Sequence, residues 1–455
     1  MKLDLGTPEK FSFTYTFIRN TWFLPWFKFW YKDITIVGKQ NIDRKTPTIL
    51  AINHQNTAMD PLILCGTVFR QISWLARADL YNKKFLIPIL HWLKILPIFR
   101  KRDGVKNLGE NDIIFEKVVE IISNKKLVGI FPEGTHWGFR RLRPTRKAIP
   151  RIVCLAEEKN NYDMDINVNP VGIYYDDYQD IRTNIFIKIG EPIPMRQFFN
   201  SLQENPQVAE NEIKDAIEKG MRETMIDIPQ TDETYYTAEG LRIICRKKTS
   251  EKFSFSGNKQ EREFLADKKT VEIIEKETEK NPSFLSDIKR IVDEYEKALI
   301  RTDFSNTLVE QKGSDAFNVI WNCMKLIALF PLFIIGTAVH IINYAAMVKL
   351  GKTLTKDPQF KNSIMFVCGA LIKTIIHGLY IALWLIFVPL PWWTVFFMIA
   401  SLYFLWTIFI DYPRLLKRTI QAFRFNFGYA SKNADIQKLI EQHDAIENAY
   451  TKCID

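Results

Sequence analysis

The chain has 455 residues, 62 Lys and Arg against 52 Asp and Glu, a formal net charge of +10 and 47% hydrophobic residues. That length allows two to four domains and excludes a peptide or a disulfide-stapled miniprotein. The 33 Phe, 16 Tyr and 11 Trp exceed what an average soluble core needs, so the whole-chain average hides unlike parts.

The charge is unevenly spread. Residues 1–200 carry 30 basic and 20 acidic residues, residues 201–316 carry 19 and 25, and residues 317–455 carry 13 and 7. A basic first part points to an anionic partner: nucleic acid, a phosphate-bearing metabolite or a lipid headgroup surface. No nucleic-acid module accompanies the charge, so nucleic acid is not the expected partner. The six cysteines (Cys65, Cys154, Cys245, Cys323, Cys368, Cys453) have no CxxC or CxxxC spacing, which argues against the usual zinc frameworks and against an oxidised scaffold. A reducing, cytosol-facing location follows. The start, MKLDLGTPEKFSF, places acids and a Pro before any apolar run and does not read as a cleavable signal peptide.

In chain order, FSFTYTFIRNTWFLPWFKFWY is aromatic throughout, with Arg19, Pro25 and Lys28 among the rings, and reads as an interfacial segment over residues 1–32. From Asp33 to about residue 200, short β-branched runs (DITIVG, TPTILAIN, LVGIFPEG, INVNPVGIYY, NIFIKIGEPI) alternate with helical patterns such as NDIIFEKVVEIISNKK. That alternation predicts an α/β domain with a mixed β-sheet flanked by helices. Residues 201–316 read as a charged helical region with solvated faces. The 23 uncharged residues between Lys325 and Lys349, and the 37 between Lys373 and Asp411, predict membrane segments near 326–348, 366–388 and 391–410, the last two parted by Pro389-Leu390-Pro391. Lysines at 349, 352, 356 and 361, and the basic residues after Asp411, place both flanking segments in the cytoplasm. A full first span would then put residues 1–316 on the other face, so a re-entrant first segment, bent at Pro331 and Gly336, is expected before two spans. Residues 412–455 would form a cytoplasmic tail.

Three sites could carry chemistry. His54 follows a strand-like run with Asp60 nearby, and a His–carboxylate pair can take a proton from a hydroxyl. Arg100, Lys101, Arg102, Asp103 and Gly104 follow LKILPIF, where Arg forks suit phosphate oxygens. Glu133, Gly134 and Thr135 end a further strand-like run and lead into Arg140, Arg141, Arg143, Arg146 and Lys147. Gly134 there permits a turn that a side chain would obstruct.

Together the three resemble the ordered blocks of the glycerolipid acyltransferase superfamily, over roughly residues 40–195. Asn53-His54 to Asp60 resembles block one, with five intervening residues where that family has four. Phe99–Asp103 resembles block two, Phe131–Thr135 block three and Asn169–Ile173 block four. His136 stands where an Arg is common. The resemblance implies an acyltransferase domain over 33–200 and a membrane-bound O-acyltransferase of phospholipid biosynthesis. It would move a fatty acyl group from acyl-CoA or acyl-carrier protein to a hydroxyl of glycerol 3-phosphate, dihydroxyacetone phosphate or a lysophospholipid. It further implies His54 as general base, Asp60 as its orienting partner, and Asn53 and Thr135 among the substrate-binding residues. Arg100, Arg102, Arg140 and Arg143 would serve the acceptor phosphate, Glu133 and Gly134 the acceptor glycerol, and Pro170 and Val171 the acyl pocket. No metal or other cofactor is implied. The altered His–Asp spacing keeps open a second reading, a catalytically inactive membrane scaffold or lipid-binding adaptor of the same fold.

Overall fold

The computed structural model describes residues 4–100 and 109–454, which divide into two compact units. One comprises residues up to Ile226 together with Asp357–Ser363; the other comprises Asp227–Lys356 and Ile364 onward.

The first unit is built on a mixed sheet of β1 (Asp33–Val37), β2 (Thr48–Ile52), β3 (Ile72–Arg77), β4 (Ile95–Ile98), β5 (Leu127–Ile130), β6 (Asn167–Tyr175), β7 (Asn184–Ile189) and β8 (Ile193–Pro194). Its order is β1-β7-β6-β2-β5-β3-β4, with β8 on β6. The pairs β6-β2, β2-β5, β5-β3 and β3-β4 are parallel, as is β1-β7, while β7 and β8 pair antiparallel with β6. β2 is buried at every position, as expected of a central strand covered on both faces. The helices Glu110–Ser123, Ala148–Lys159 and Pro206–Thr224 supply Ile114, Val118, Ile122, Ile152, Val153, Ile213 and Met221 to the core beneath it. β3 does not stand out in the sequence: ISWLAR is short and broken by polar residues, and its place between β5 and β4 is set by Trp74 lying across Gly129 of β5. Residues up to Ile226 belong here because Thr145 donates to Glu218 through its backbone N–H (2.9 Å) and its hydroxyl (2.7 Å), pinning the arginine-rich loop to the Pro206–Thr224 helix.

The aromatic N-terminal segment divides in two. Trp26, Phe27, Trp30 and Tyr31 are buried, with Phe27 and Leu24 against Gly66 of the Met59–Thr67 helix. Phe11, Phe13 and Phe17 stay exposed, at 65%, 73% and 56%. The segment is therefore part core and part surface rather than interfacial throughout.

In the second unit, helices Asp232–Phe253, Lys259–Lys280, Phe284–Thr302 and Ala434–Ile454 form a bundle around Leu241, Phe264, Val292, Tyr295 and Ile446. The last helix packs there and is no free tail: the Tyr450 hydroxyl lies 2.7 Å from the Thr249 hydroxyl, itself 2.8 Å from that of Thr270. Asp267, fully buried, is paired with Arg242 and with Arg246 (2.6 Å), which explains charges that composition alone would assign to solvent.

Helices Ala316–Thr353, Pro358–Phe387 and Thr394–Ala430 are each long and apolar enough to cross a membrane, and Val388–Trp393 separates the last two. Pro331 and Gly336 do not break the first of them, which runs as one 38-residue helix. Gly336 serves close packing instead, since a Cβ there would meet the Leu405 carbonyl oxygen at 2.8 Å. Phe333 stacks on Tyr412 nearby, with ring centroids 4.4 Å apart. His340 is buried between the same helices with its Nε2 3.1 Å from the Leu402 carbonyl, and the Lys373 ammonium sits 4.9 Å from the Trp406 ring centre, so polar groups in the apolar zone face protein.

The divided N-terminus sets up a comparison. Phe27→Ala should cost about 3–5 kcal/mol of stability, as for other fully buried Phe side chains, whereas Phe13→Ala should change it by under about 0.5 kcal/mol. Thermal melts of the two variants measure the difference.

Candidate functional site

The parallel strands β2, β5 and β4 deliver the first three sequence blocks to one edge of the sheet, the carboxyl ends where open α/β sheets bind ligands. Asn53-His54 follow β2, Phe99-Arg100 follow β4 and Phe131–Thr135 follow β5. Block four lies within β6 itself.

His54 and Asp60 meet. Nδ1 of His54 is 2.9 Å from Oδ2 of Asp60, and the His54 side chain retains 17% exposure while Asp60 has none. The extra residue between them does not part the pair, because the turn coils through Thr57 in the left-handed region (φ 43°). Asp60 Oδ2 also accepts the backbone N–H groups of Gln55 (3.0 Å) and Asn56 (2.9 Å), and Oδ1 accepts the Tyr175 hydroxyl (2.8 Å). Burial and the Asp60 charge hold the Tyr175 phenol well above its ordinary pKa, so it stays a donor. With Nδ1–H donated to the carboxylate, Nε2 of His54 carries a lone pair, as a general base requires. The imidazole stacks on Phe131 at 4.3 Å and meets His136 edge-on at 5.6 Å.

Glu133, expected to position the acceptor, ties two loops of the site together. It is buried, Oε1 accepts the His54 backbone N–H (2.9 Å) and Oε2 accepts the Arg143 backbone N–H (3.2 Å), so both oxygens tie the block-three loop to the His54 turn. Burial raises its carboxyl to about 7 despite those two donors, with the nearby Asp60 charge adding to the rise. Gly134 takes the positive φ (72°) that lets the chain leave β5 in a tight turn.

Several other expected substrate contacts are also committed to the scaffold. Asn53, 2% exposed, clips β2 to β6: Oδ1 accepts the Ile173 N–H (2.7 Å) and Nδ2 donates to the Ile173 carbonyl (3.1 Å). Arg140 is buried, donates to the Tyr175 carbonyl (3.0 Å) and lies over the Tyr174 ring at 4.4 Å, which removes it from the set of phosphate-facing cations. Pro170 and Val171, the residues expected at the acyl pocket, are sheet core, and the Val171 carbonyl accepts the Asn53 N–H (3.2 Å). Thr135, Arg100 and Arg143 are half-buried at the sheet edge, with the Arg143 guanidinium 4.8 Å from the Trp137 ring centre, and Arg146 is exposed. Arg102 lies outside the described residues.

Sequence reasoning missed Tyr175 and the segment Asp357–Ser363. Tyr175 ends the β-branched run of β6 and reads there as strand filler. The segment joins the site from the far part of the chain: Thr57 Oγ1 lies 2.8 Å from Ser363 Oγ and 3.2 Å from the Gln359 carbonyl, and Asn362 Nδ2 donates to the Tyr178 carbonyl (2.9 Å). No local signal marks it.

Residues 33–174 match the Acyltransferase family. Residues 33–174 thus form an Acyltransferase domain, and the curated relatives that the chain resembles are themselves glycerolipid acyltransferases by name. The chain is 22% identical to glycerol-3-phosphate O-acyltransferase 1 of Saccharomyces cerevisiae, over 54% of this chain and 32% of that one. It is 30% identical to the 1-acyl-sn-glycerol-3-phosphate acyltransferase of Borreliella burgdorferi, over 22% of this chain and 38% of that one. The chain thus spans about a third of the length of the first of these relatives and under two fifths of the second. The crystal structure of the 1-acyl-sn-glycerophosphate (LPA) acyltransferase, PlsC, from Thermotoga maritima is 20% identical, with a TM-score of 0.33 over 45% of this chain and 78% of that one.

Two outcomes follow from this geometry. Tyr175→Phe leaves Asp60 Oδ1 without its hydroxyl donor and should lower stability by about 1–3 kcal/mol, read by thermal melting. A carboxyl raised in the folded state stabilises the fold when protonated, and that contribution is lost as pH rises from the ordinary Glu range through about 7. The melting temperature should therefore decline between about pH 5 and about pH 8, and Glu133→Gln should flatten that decline.

Proposed function

We propose that the protein is a membrane-bound acyltransferase that moves a fatty acyl group from an acyl-CoA or acyl-carrier-protein thioester to a hydroxyl of a glycerol phosphate or lysophospholipid. The observation that carries the reading is the His54–Asp60 pair at the carboxyl edge of the sheet, hydrogen-bonded through Nδ1. Nε2 of His54 takes the acceptor hydroxyl proton as its oxygen attacks the thioester carbonyl. The C–S bond then breaks, and the departing thiolate recovers the proton from the imidazolium. A thioester is already activated, so a base, positioning and donors for the developing oxyanion suffice without an acyl-enzyme.

Arg143 and Arg146 replace Arg140 as the cations offered to the acceptor phosphate, beside Arg100. The arginine-rich loop after Glu133 favours a small, phosphate-rich acceptor such as glycerol 3-phosphate or dihydroxyacetone phosphate over a lysolipid. Membrane attachment suits this chemistry, because each CH₂ of an acyl chain drawn into water costs about 0.8 kcal/mol. Exposed Phe11, Phe13 and Phe17 would enter the bilayer surface, and the apolar helices would anchor the chain as a multi-pass protein with its catalytic domain in the cytoplasm.

Membranes containing the protein, given labelled acyl thioester and a panel of glycerol-phosphate and lysolipid acceptors, should yield one acylated product. His54→Ala should cut its rate by about 10²–10⁴-fold. An unchanged rate in that variant would leave the scaffold reading standing.

A further inference from the structure

The segment Asp357–Ser363 lies between two apolar helices in sequence, yet it is part of the acyltransferase unit. Its far end is fixed. Ser363 and Asn362 are buried, and their bonds to Thr57 and to the Tyr178 carbonyl hold the segment on the turn that carries His54 and Asp60. Thr57 is a β-branched residue with a left-handed backbone, a costly conformation in isolation. It becomes tolerable where its hydroxyl has two partners in the Gln359 carbonyl and the Ser363 hydroxyl. The longer spacing between His54 and Asp60 thus forms the surface that this segment binds.

Its near end reaches His136, the neighbour of the base. Oδ2 of Asp357 lies 3.4 Å from Nε2 of His136, and the Phe360 ring meets His136 edge-on at 5.5 Å. His136 in turn meets His54 edge-on, at 82° between ring planes, while Phe131 stacks on His54 at 27°. Asp357 itself is set by a backbone bond, its Oδ1 accepting the Gln359 N–H at 2.9 Å. Resting on the acyl-transfer reading above, we propose that Asp357 is a positioning residue for the reaction: it holds His136, and His136 with Phe131 fixes the plane of the His54 ring. A second His–carboxylate pair thereby buttresses the first, and its carboxylate comes from the segment between two long apolar helices.

Burial and the charge of His54 depress the His136 pKa, against the pull of Asp357, so the side chain beside the base is a neutral imidazole over most of the physiological range. In that form Nε2–H donates to Asp357 and the ring adds no second positive charge when His54 takes its proton. This differs from the Arg that commonly stands at this position in the family the blocks resemble. His136 is a wall of the site rather than a phosphate-binding cation.

The test uses the full chain in native-like membranes and compares Asp357→Ala, Asp357→Asn and His54→Ala for kcat, for KM of donor and acceptor, and for melting temperature. Asp357→Ala should lower kcat about tenfold, since a small misplacement of the base weakens the reactive geometry. KM for the acyl donor should stay within about twofold and the melting temperature should not move. Asp357→Asn should recover at least half of the kcat, because its amide oxygen still accepts from Nε2–H of His136. Unchanged kcat in Asp357→Ala, with activity abolished in His54→Ala, overturns the inference. So does equal loss in the Ala and Asn variants, or a fall in melting temperature that tracks the fall in activity, since either marks a purely structural role. Full activity in His54→Ala overturns the acyl-transfer reading and this inference with it.

Discussion

A carboxylate removed from water needs donors around it, and the fold supplies them to Asp60 from two directions: Gln55 and Asn56 backbone N–H and the His54 ring from its own turn, the Tyr175 hydroxyl from β6. That requirement explains much of the local sequence. The turn must coil tightly enough to aim two consecutive N–H groups at one oxygen, which fixes where β2 ends and where the Met59–Thr67 helix begins. β6 must lie beside β2 in a register that places Tyr175 over the turn, and the Asn53 clip to Ile173 holds that register at the last residue before His54. Glu133 performs the same service from β5 by accepting the His54 backbone N–H. The exposed face of one imidazole is the product of these buried bonds.

The strand-like runs at 33–38, 46–53, 127–134, 166–175 and 184–193 correspond to β1, β2, β5, β6 and β7, because each is rich in β-branched residues over a short stretch. The first three blocks each follow a strand-like run, which agrees with their place at the carboxyl ends of β2, β4 and β5. What a motif does not carry is the direction of each side chain. Asn53, Glu133, Pro170 and Val171 stand at block positions and Arg140 follows block three, yet their polar atoms or bulk are turned into the scaffold, and only the folded structure separates a residue that faces outward from one that holds such a residue in place. Asp357 and Ser363 were invisible for a different reason. Thr57 and Ser363 are 306 residues apart, and a contact at that distance leaves no periodicity or local spacing to read.

The fate of the charges follows the same logic. Asp267 with Arg242 and Arg246 shows ionic groups of the acidic middle region enclosed within a helical bundle, while the basic loop after Glu133 divides into buried Arg140 and outward Arg146. Net charge by segment overstated how many cations of the basic part remain exposed to meet an anionic partner.

The inclusion of Asp357–Ser363 in the acyltransferase unit also constrains how the protein comes into being. Domains generally fold as the chain emerges, amino-terminal part first. Here the strands and the His54 turn are synthesised long before the residues that bind Thr57, and the first long apolar helix, Ala316–Thr353, must be made in between. The Ala434–Ile454 helix imposes the same delay on the bundle begun at Asp232. A nascent or truncated chain that ends before Asp357 therefore lacks the segment that binds Thr57, and the order of synthesis itself keeps the completed His54 turn from existing before the first long apolar helix does.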